Sequence, residues 1–421
     1  MSTNQTTSDI NVSPEDARAF QANIWRFYLF RFFVDFQLWL PIWFVYLLDE
    51  RGISLKFATL LDVPFWLLLI LMEVPTGAIA DRWGRKVSLS YGVAANAVAV
   101  VVFGIAGNYG LLLASYMVWA VAWTLYSGAD SAFIYDSLRA VKREGEYTKI
   151  WGRVRAIQAV GAVLGLGLGA QLAELTNLWL PIVASGGLMA IAWLVSITFK
   201  EPPRFEDGEE QLSYIDGAKQ AFRVAFGKPS VRMMMLLMAT VMGIGVGMQI
   251  LQQPFLSHHE VNYGNFGWFP MPGQALSFFA ALLAVRIISV VGLVRLVVLI
   301  PVAVMTTAVG LGAVDHVAAF LFYPISTMMY ALSFPLISDY LNQRIPSAQR
   351  ATILSIHSLL FSLVLVIAEP VLGWIGDETS LLIAYRTAAI AIAVTVPPLL
   401  IFWLRAHRSE TLITEEVVRT P

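Results

Sequence analysis

Charged side chains inside long apolar stretches are the residues of this chain best suited to chemistry. Asp35 lies in an apolar run with Arg31 one helical turn before it, and Glu73 precedes Pro75 in the next run. Such charges are costly in an apolar environment, which makes them candidates for function. We interpret Asp35 and Glu73 as candidate proton carriers. For Asp35 an alternative stays open, in which its pair with Arg31 only neutralises charge. For Glu73 the alternative is that it supports packing and a gate.

Aromatic and carboxamide side chains accompany these charges. Aromatic rings attract organic cations, and amides supply hydrogen bonds. The alternative is that the aromatic residues mark the membrane interface or only pack. The candidate lining residues of a substrate cavity are Arg31, Trp39, Trp123, Tyr126, Gln158 and Gln249. Two more acids, Asp62 and Glu369, lie near the ends of predicted spans, where we expect them to be solvated.

The composition defines the class of protein. The chain has 421 residues, of which 57% are hydrophobic and 14% charged, and its mean hydropathy is +0.68. Soluble domains carry roughly 25% charged residues, so this is a polytopic membrane protein. The absence of cysteine excludes disulfides and thiolate catalysis. No nucleotide, metal or other cofactor motif is present, so we expect no cofactor, no bound metal, no enzyme activity and no nucleic-acid partner.

Twelve membrane spans follow from the hydropathy pattern, since about 20 apolar residues cross a bilayer. The positive-inside rule supports this count. Of the 28 Lys and Arg residues, 25 fall on one face, which we assign to the cytoplasm together with both termini. The predicted spans are 24–47, 59–79, 87–106, 109–135, 151–173, 178–199, 231–252, 267–285, 294–313, 317–338, 350–374 and 381–403.

The spans group into two sets of six around a polar linker. Within the linker, Tyr214 to Phe226 has the pattern of an amphipathic surface helix. The predicted segments are a cytoplasmic N-terminal segment 1–23, a six-helix bundle 24–199, the linker 200–230, a second six-helix bundle 231–403 and a cytoplasmic tail 404–421.

A loop between the second and third spans carries the most specific pattern in the chain. It reads Gly77-x-x-x-Asp81-Arg82-x-Gly84-Arg85-Lys86, and Gly84 allows a sharp turn there. This pattern matches the signature loop of major facilitator superfamily transporters, which the chain resembles. The resemblance implies an all-α membrane protein with 12 transmembrane helices in two six-helix bundles around a central cavity.

The resemblance also implies a cytoplasmic gate. In the family, the acid and the arginine of this loop form a charge cluster with an acid at the inner end of the fourth helix. Carried over, the gate residues are Gly77, Asp81, Arg82, Gly84, Arg85 and Asp136, with Asp81 near the helix that starts around Ser347. The two halves repeat, since Asp136 and Asp339 end corresponding helices. When Ala284-Val285-Arg286 is aligned with Ala80-Asp81-Arg82, the second copy of the loop has Val285 in place of the acid Asp81.

The drug/proton antiporter branch is the part of the family that the chain resembles most. Two departures stand out: Thr124 replaces an arginine of the fourth helix, and the fifth span is rich in glycine but lacks a Gly-Pro pattern. We expect those glycines to pack against a partner helix, the eighth.

The expected function is secondary active transport of a small organic solute by alternating access, as proton-coupled export of amphiphilic compounds. The alternatives are uptake or exchange of a polar solute, and a lipid-handling or scaffold protein without coupled transport. The expected partners are a small-molecule substrate, protons and membrane lipid. We expect a monomer, multi-pass in the cell membrane.

Overall fold

The computed structural model describes residues 12–203, 222–223, 226–346 and 349–419. All regular structure in these ranges is helical. The described residues form two compact units, and each is considered by itself. The first unit contains those within 1–46 and 64–208, and the second contains those within 47–63 and 209–421. The predicted segment boundaries, which place 47–63 in the first bundle, remain predictions.

The first unit is built from seven helices. The second of them, α2, begins within the residues of the second unit. The helices are α1 (Pro14–Asp35), α2 (Leu55–Trp83), α3 (Arg85–Ile105), α4 (Tyr109–Ser127), α5 (Asp130–Arg139), α6 (Tyr147–Leu175) and α7 (Trp179–Ile197).

The second unit is built from eight further helices. They are α8 (Pro229–Gln249), α9 (Gln252–His258), α10 (Met271–Leu282), α11 (Ala284–Val291), α12 (Leu293–Ala313), α13 (Tyr323–Asn342), α14 (Arg350–Glu378) and α15 (Leu381–Arg419). The last helix continues well past the predicted end of its span at residue 403.

Local sequence signals set the starts of two helices in the first unit. Ser13 caps α1 by accepting a hydrogen bond from the Asp16 backbone N–H at 3.1 Å, and Pro14 occupies the first helical position. Asn108 caps α4 through the Leu111 N–H at 2.9 Å. Such caps satisfy backbone donors that have no partner within the helix.

The same helix pairings occur in both units. In the first unit α1 packs against α6 and α7, and α3 packs against α4 and α7. In the second unit α8 packs against α14 and α15, and α12 packs against α13 and α15. This correspondence supports the internal repeat that the sequence predicts.

Ten helical stretches of the described residues are long and apolar enough to cross a membrane. The pair α10 and α11, bent by 74°, makes an eleventh. The predicted span 24–47 differs, because α1 ends at Asp35 and is followed by turns before a short helical segment at Trp43–Val45. A twelve-helix fold is consistent with this architecture.

Two glycines occupy equivalent turns in the two units. Gly84 precedes α3 with φ 112° and ψ 150°, and Gly292 precedes α12 with φ 88° and ψ 149°. This backbone region is essentially restricted to glycine. The second copy of the loop is therefore centred on Gly292. The alignment at Ala284-Val285-Arg286 was wrong in register, because it pairs Gly84 with Ile288 and not with Gly292, which has the matching backbone.

The predicted amphipathic helix of the linker lies largely outside the described residues. Of that stretch, Phe222, Arg223 and Phe226 are helical, and the rings of Phe222 and Phe226 stack 4.2 Å apart.

Candidate functional site

The end of α1, which carries Asp35, packs closely against α6. Gly161 and Gly165 of α6 lie against the backbone of this end, such that a Cβ atom on Gly165 would stand 2.7 Å from the Gln37 carbonyl oxygen. Glycine permits this approach because it lacks a side chain. The expectation that these glycines pack against the eighth span was wrong, since their contacts are with the end of α1 and the turn that follows it.

A second helix break lies close to the first. The predicted span 109–135 is divided, since α4 ends at Ser127 and α5 begins at Asp130. The break places the Asp130 side chain in the first turn of α5, where free backbone N–H groups favour a negative charge.

Arg31 joins the two breaks. Its guanidinium lies 2.8 Å from Asp130 and 2.9 Å from Asp35. The side chains of Arg31 and Asp130 are only 9% and 11% exposed, whereas that of Asp35 is 21% exposed. The pairing of Arg31 with Asp35 was anticipated from their spacing, but the second carboxylate was not. We call Arg31, Asp35 and Asp130 the charge triad.

Two polar atoms of the triad lack a hydrogen-bond partner among the described residues. Asp130 Oδ1 and Arg31 Nε are buried there without a hydrogen-bond partner. With both acids ionised, the triad itself carries one excess negative charge, and exposed Arg155 of α6 is a further cation that acts on both carboxylates. A buried charge of this kind is unfavourable without a counter-ion or a proton.

Polar groups on α6 connect the triad to the exposed surface of the first unit. The Gln158 side-chain amide donates to Asp35 at 3.1 Å, and exposed Arg155 donates to the Gln158 oxygen at 3.3 Å. Gln158 was predicted as a cavity residue, and it lies one hydrogen bond from the triad.

An aromatic cluster adjoins the triad. The Arg31 guanidinium lies 5.9 Å from the centre of the buried Tyr126 ring, which stacks with half-buried Trp123. Trp39 packs edge-on against Trp119 at 4.9 Å. The indole nitrogens of Trp39 and Trp119 are buried without a hydrogen-bond partner among the described residues. The structure thus brings Trp123 and Tyr126 together beside the triad, whereas Trp39 pairs with Trp119.

Glu73 lies apart from this cluster. Its side chain is exposed on α2 and makes no hydrogen bond or ion pair with the part of the chain that the structure describes. The two candidate proton carriers therefore have different settings, with Asp35 in a charged network and Glu73 outside it.

The signature loop forms a separate cluster at the start of α3. Arg85 Nε lies 2.7 Å from Asp136 Oδ2, as the family pattern implies. Asp81 and Arg82 are exposed, and Asp81 makes no ion pair or hydrogen bond within the described ranges. The structure thus unites two of the three predicted cluster members, and residues 347–348, beside which Asp81 was expected, lie outside the described residues. Gly77 is half-buried within α2.

Glu201 completes this cluster and was not anticipated. Its carboxylate accepts hydrogen bonds from the backbone N–H groups of Arg85 at 2.7 Å and Lys86 at 2.8 Å. These are unsatisfied donors of the first turn of α3, where an anion is favoured. A Cβ atom on Gly84 would lie 2.9 Å from that carboxylate, so a side chain there would displace the Glu201 carboxylate in addition to straining the backbone.

Buried Asn23 of α1 fixes the chain just before Glu201. Its amide donates to the Lys200 carbonyl at 2.8 Å and to Ser137 Oγ at 3.1 Å, and its oxygen accepts from the Lys200 N–H at 3.0 Å. The Lys200 ammonium also pairs with Asp16 at 2.9 Å. Its hydrogen bond holds the pKa of that exposed carboxyl below the usual value. Asn23 thereby positions Glu201 beneath α3.

The second unit contains a buried pair of acids. Asp62 and Glu369 are 5% and 4% exposed, and their carboxyl groups are hydrogen-bonded to each other. The expectation that both are solvated was wrong. The reason is that α2 packs tightly on α14. Thr59, one turn before Asp62, lies against Gly373, one turn after Glu369. A hydrogen bond between two carboxyl groups requires that one of them carries a proton.

Gln249, the remaining predicted cavity residue, also lies in the second unit. It lines a cavity together with Gln252, Gln274, Phe269, Phe320 and Tyr323.

Asp130 and Glu201 are the residues that sequence reasoning missed. The Ser127-Gly128 pair inside the fourth span was a signal for the break that exposes Asp130 as a helix start. For Glu201 the signal was an acid followed by two prolines at the end of the sixth span.

Comparison with known proteins gives the family. The Major Facilitator Superfamily model matches residues 27–369. The quinolone resistance protein NorA of Staphylococcus aureus is 25% identical over 178 residues, which are 42% of this chain and 44% of that protein. The multidrug resistance protein 1 of Bacillus subtilis is 28% identical over 163 residues, or 38% and 40% of the two chains. Each match therefore spans less than half of the relative.

Solved structures share the fold. The nucleoside transporter NupG has a TM-score of 0.73 at 13% identity, covering 92% of this chain and 99% of that one. A bacterial homologue of the human lysosomal transporter Spinster, inward-facing and unoccupied, has a TM-score of 0.68 at 18% identity, covering 94% and 98%. The helical architecture, the signature loop and the family match together establish that this chain is a transporter, not an enzyme, and belongs to the Major Facilitator Superfamily.

Proposed function

We propose that this chain exports amphiphilic organic compounds, including cations, in exchange for protons, as a monomer in the cell membrane. The observation that carries the proposal is the excess carboxylate of the charge triad. Arg31 lies between Asp35 and Asp130, and Asp130 Oδ1 is buried without a hydrogen-bond partner among the described residues.

The triad supports exchange by simple charge balance. One arginine and two ionised carboxylates leave one negative charge in a buried setting, and either a proton or a cationic substrate neutralises it. Occupation by one disfavours the other, because both remove the same excess charge. Asp130 Oδ1 is the proposed proton acceptor, and Arg31 keeps the remaining negative charge close to it.

The aromatic cluster supports an organic substrate. The Tyr126 ring lies next to the triad and stacks with half-buried Trp123, and such rings attract cations and bury apolar groups. The names of the two bacterial relatives, a quinolone resistance protein and a multidrug resistance protein, agree with export of such compounds.

We propose that the cluster at the start of α3 is a cytoplasmic gate. Glu201 and Asp136 hold the start of α3 through its backbone and through Arg85. We propose that Asp81, which is exposed in the last turn of α2, completes this gate in another conformation. Asp81→Asn should then reduce transport strongly without reducing the amount of folded protein. Normal transport by this variant at equal expression would remove Asp81 from the mechanism.

Proton-driven flux tests the proposal directly. Purified protein in proteoliposomes should accumulate a fluorescent organic cation such as ethidium when a pH gradient is imposed, and Asp35→Asn and Asp130→Asn should abolish this accumulation. Asp377→Asn is the matched control, since Asp377 is exposed and makes no hydrogen bond or ion pair with other described residues. Gradient-independent flux in the wild type, or unchanged coupling in both triad variants, would contradict proton coupling at the triad. A complete absence of flux would favour a scaffold.

A further inference from the structure

The cavity of the second unit lies where three helix boundaries meet. Helix α8 ends at Gln249 and α9 begins at Gln252, while Gln274 lies in the first turn of α10. The start of α13 closes the cavity with Tyr323. Breaks between helices allow side chains from several segments to point to one space, which a continuous bundle would fill with packing.

Three carboxamides lining this cavity have no partner among the described residues. The side chains of Gln249, Gln252 and Gln274 make no hydrogen bond to any other residue that the structure describes. Each carboxamide offers two donors and an acceptor. Gln249 and Gln252 are half-buried, so their amides are partly removed from water without replacement bonds inside the unit.

The other polar side chains of the lining are already engaged. The Tyr323 hydroxyl is hydrogen-bonded to the Tyr385 hydroxyl at 2.5 Å and to the Met248 carbonyl at 3.3 Å. Thr327 Oγ1 donates to the Tyr323 carbonyl at 2.9 Å. Hydrogen bonds to a ligand would therefore come from the three glutamines.

The remaining walls are aromatic and carry no charge. Phe269 packs edge-on against Phe320 with ring centres 5.2 Å apart, and Phe320 lies 4.6 Å from Tyr323. No Asp, Glu, Lys, Arg or His lines the cavity among the described residues. An ionised ligand group would enter this space without a counter-ion, which is unfavourable. The cavity volume of about 60 Å³ admits the amide edge of a planar group, whose ring would be only partly enclosed by the aromatic walls.

We propose that this cavity is a binding site for an uncharged, planar group bearing a carboxamide, imide or ring-nitrogen edge. Such an edge presents a donor and an acceptor side by side and matches the glutamine amides. The proposal rests on the proposed function, because it names the chemical class of substrate that the second unit selects. An exported amphiphile would thus carry a neutral amide-bearing ring in addition to any cationic group.

Binding to the purified full-length protein tests the site without any need for transport. The probes are benzamide, benzoate and benzylammonium, which share a ring and differ in charge. In equilibrium dialysis benzamide should bind at least about tenfold more tightly than either ion, because an unpaired charge is costly in such a site. Gln249→Leu and Gln252→Leu should each weaken benzamide about 3- to 10-fold, as expected for one lost hydrogen bond. Exposed Gln21 on α1 provides the control variant Gln21→Leu.

A charge swap provides a readout that a folding defect does not mimic. Gln252→Glu should weaken benzamide and strengthen benzylammonium. Equal binding of all three probes by the wild type, or benzamide binding unaffected by both glutamine-to-leucine variants, would overturn the proposal. Binding of benzamide by a protein without proton-coupled flux would leave this site standing and reject the proposed coupling, so the two failures are distinguishable.

Discussion

Arg31 pairs with Asp130, a residue 99 positions further along the chain, at 2.8 Å between guanidinium Nη1 and carboxylate Oδ2. The same guanidinium holds Asp35 on its own helix. Two helix breaks, after Asp35 and before Asp130, are thus joined by one side chain. This relationship makes Arg31 both a structural link and the partner that sets the charge of the site.

Removing the arginine charge should destabilise the first unit. Arg31→Gln leaves two buried carboxylates without a counter-charge, and breaking a buried pair costs about 3–5 kcal/mol. The double variant Arg31→Gln/Asp130→Asn returns the excess to one negative charge, as in the wild type. We therefore expect the double variant to be more stable in detergent than Arg31→Gln alone, as measured by thermal unfolding. A double variant less stable than the single one would show that charge is not what Arg31 supplies.

Gly84 should tolerate no side chain. Its backbone lies at φ 112°, and a Cβ atom would crowd the Glu201 carboxylate. Gly84→Ala should cost about 1–3 kcal/mol and displace the cap from α3. Gly77→Ala, on the same loop pattern, is the control, because nothing lies within 4 Å of a Cβ atom there. Thermal unfolding of both variants makes the comparison, and equal stability would contradict the capping role of Glu201.

The glycines of α6 should differ according to what they contact. A Cβ atom on Gly165 would press on the Gln37 backbone, whereas one on Gly167 meets nothing within 4 Å. Gly165→Ala should lose about 1–3 kcal/mol through overpacking and shift the break that carries Asp35, which reduces transport. Gly167→Ala should behave as the wild type in both assays. Similar effects of the two substitutions would argue against close contact of α6 with the end of α1.

The orientation of the chain can be read with single cysteines, because the sequence contains none. The charge distribution places exposed Glu144 in the cytoplasm and exposed Asp377 outside. An impermeant maleimide on intact cells should therefore label Asp377→Cys and not Glu144→Cys, and both after permeabilisation. The reverse pattern would invert the topology and, with it, the assignment of the Arg85–Asp136 cluster to the cytoplasmic gate.

The sequence was sufficient for those parts of the structure that depend on local patterns. Apolar runs predicted most of the spans, the spacing of Arg31 and Asp35 predicted their pair, and the loop pattern predicted the turn at Gly84. These features depend on residues within one or two turns of each other. The family resemblance, and not the spacing, supplied the contact of Arg85 with Asp136.

Features that depend on where a helix stops were not predicted. Asp130 joins the site because α4 ends three residues before it, and hydropathy does not distinguish a continuous span from a broken one. Asp62 and Glu369 were expected in water because both lie near span ends. Their burial comes from the contact of α2 with α14, which no local pattern records.

The central claim is that one buried site accepts either a proton or a cationic substrate. The most direct measurement is proton release when a lipophilic cation such as tetraphenylphosphonium binds to purified protein in weakly buffered detergent solution. Across pH 5–9, the wild type should release up to about one proton per bound cation at its maximum, because both neutralise the same excess carboxylate. Asp130→Asn should release none. Cation binding by the wild type without proton release at any pH, or undiminished release by Asp130→Asn, would contradict the claim.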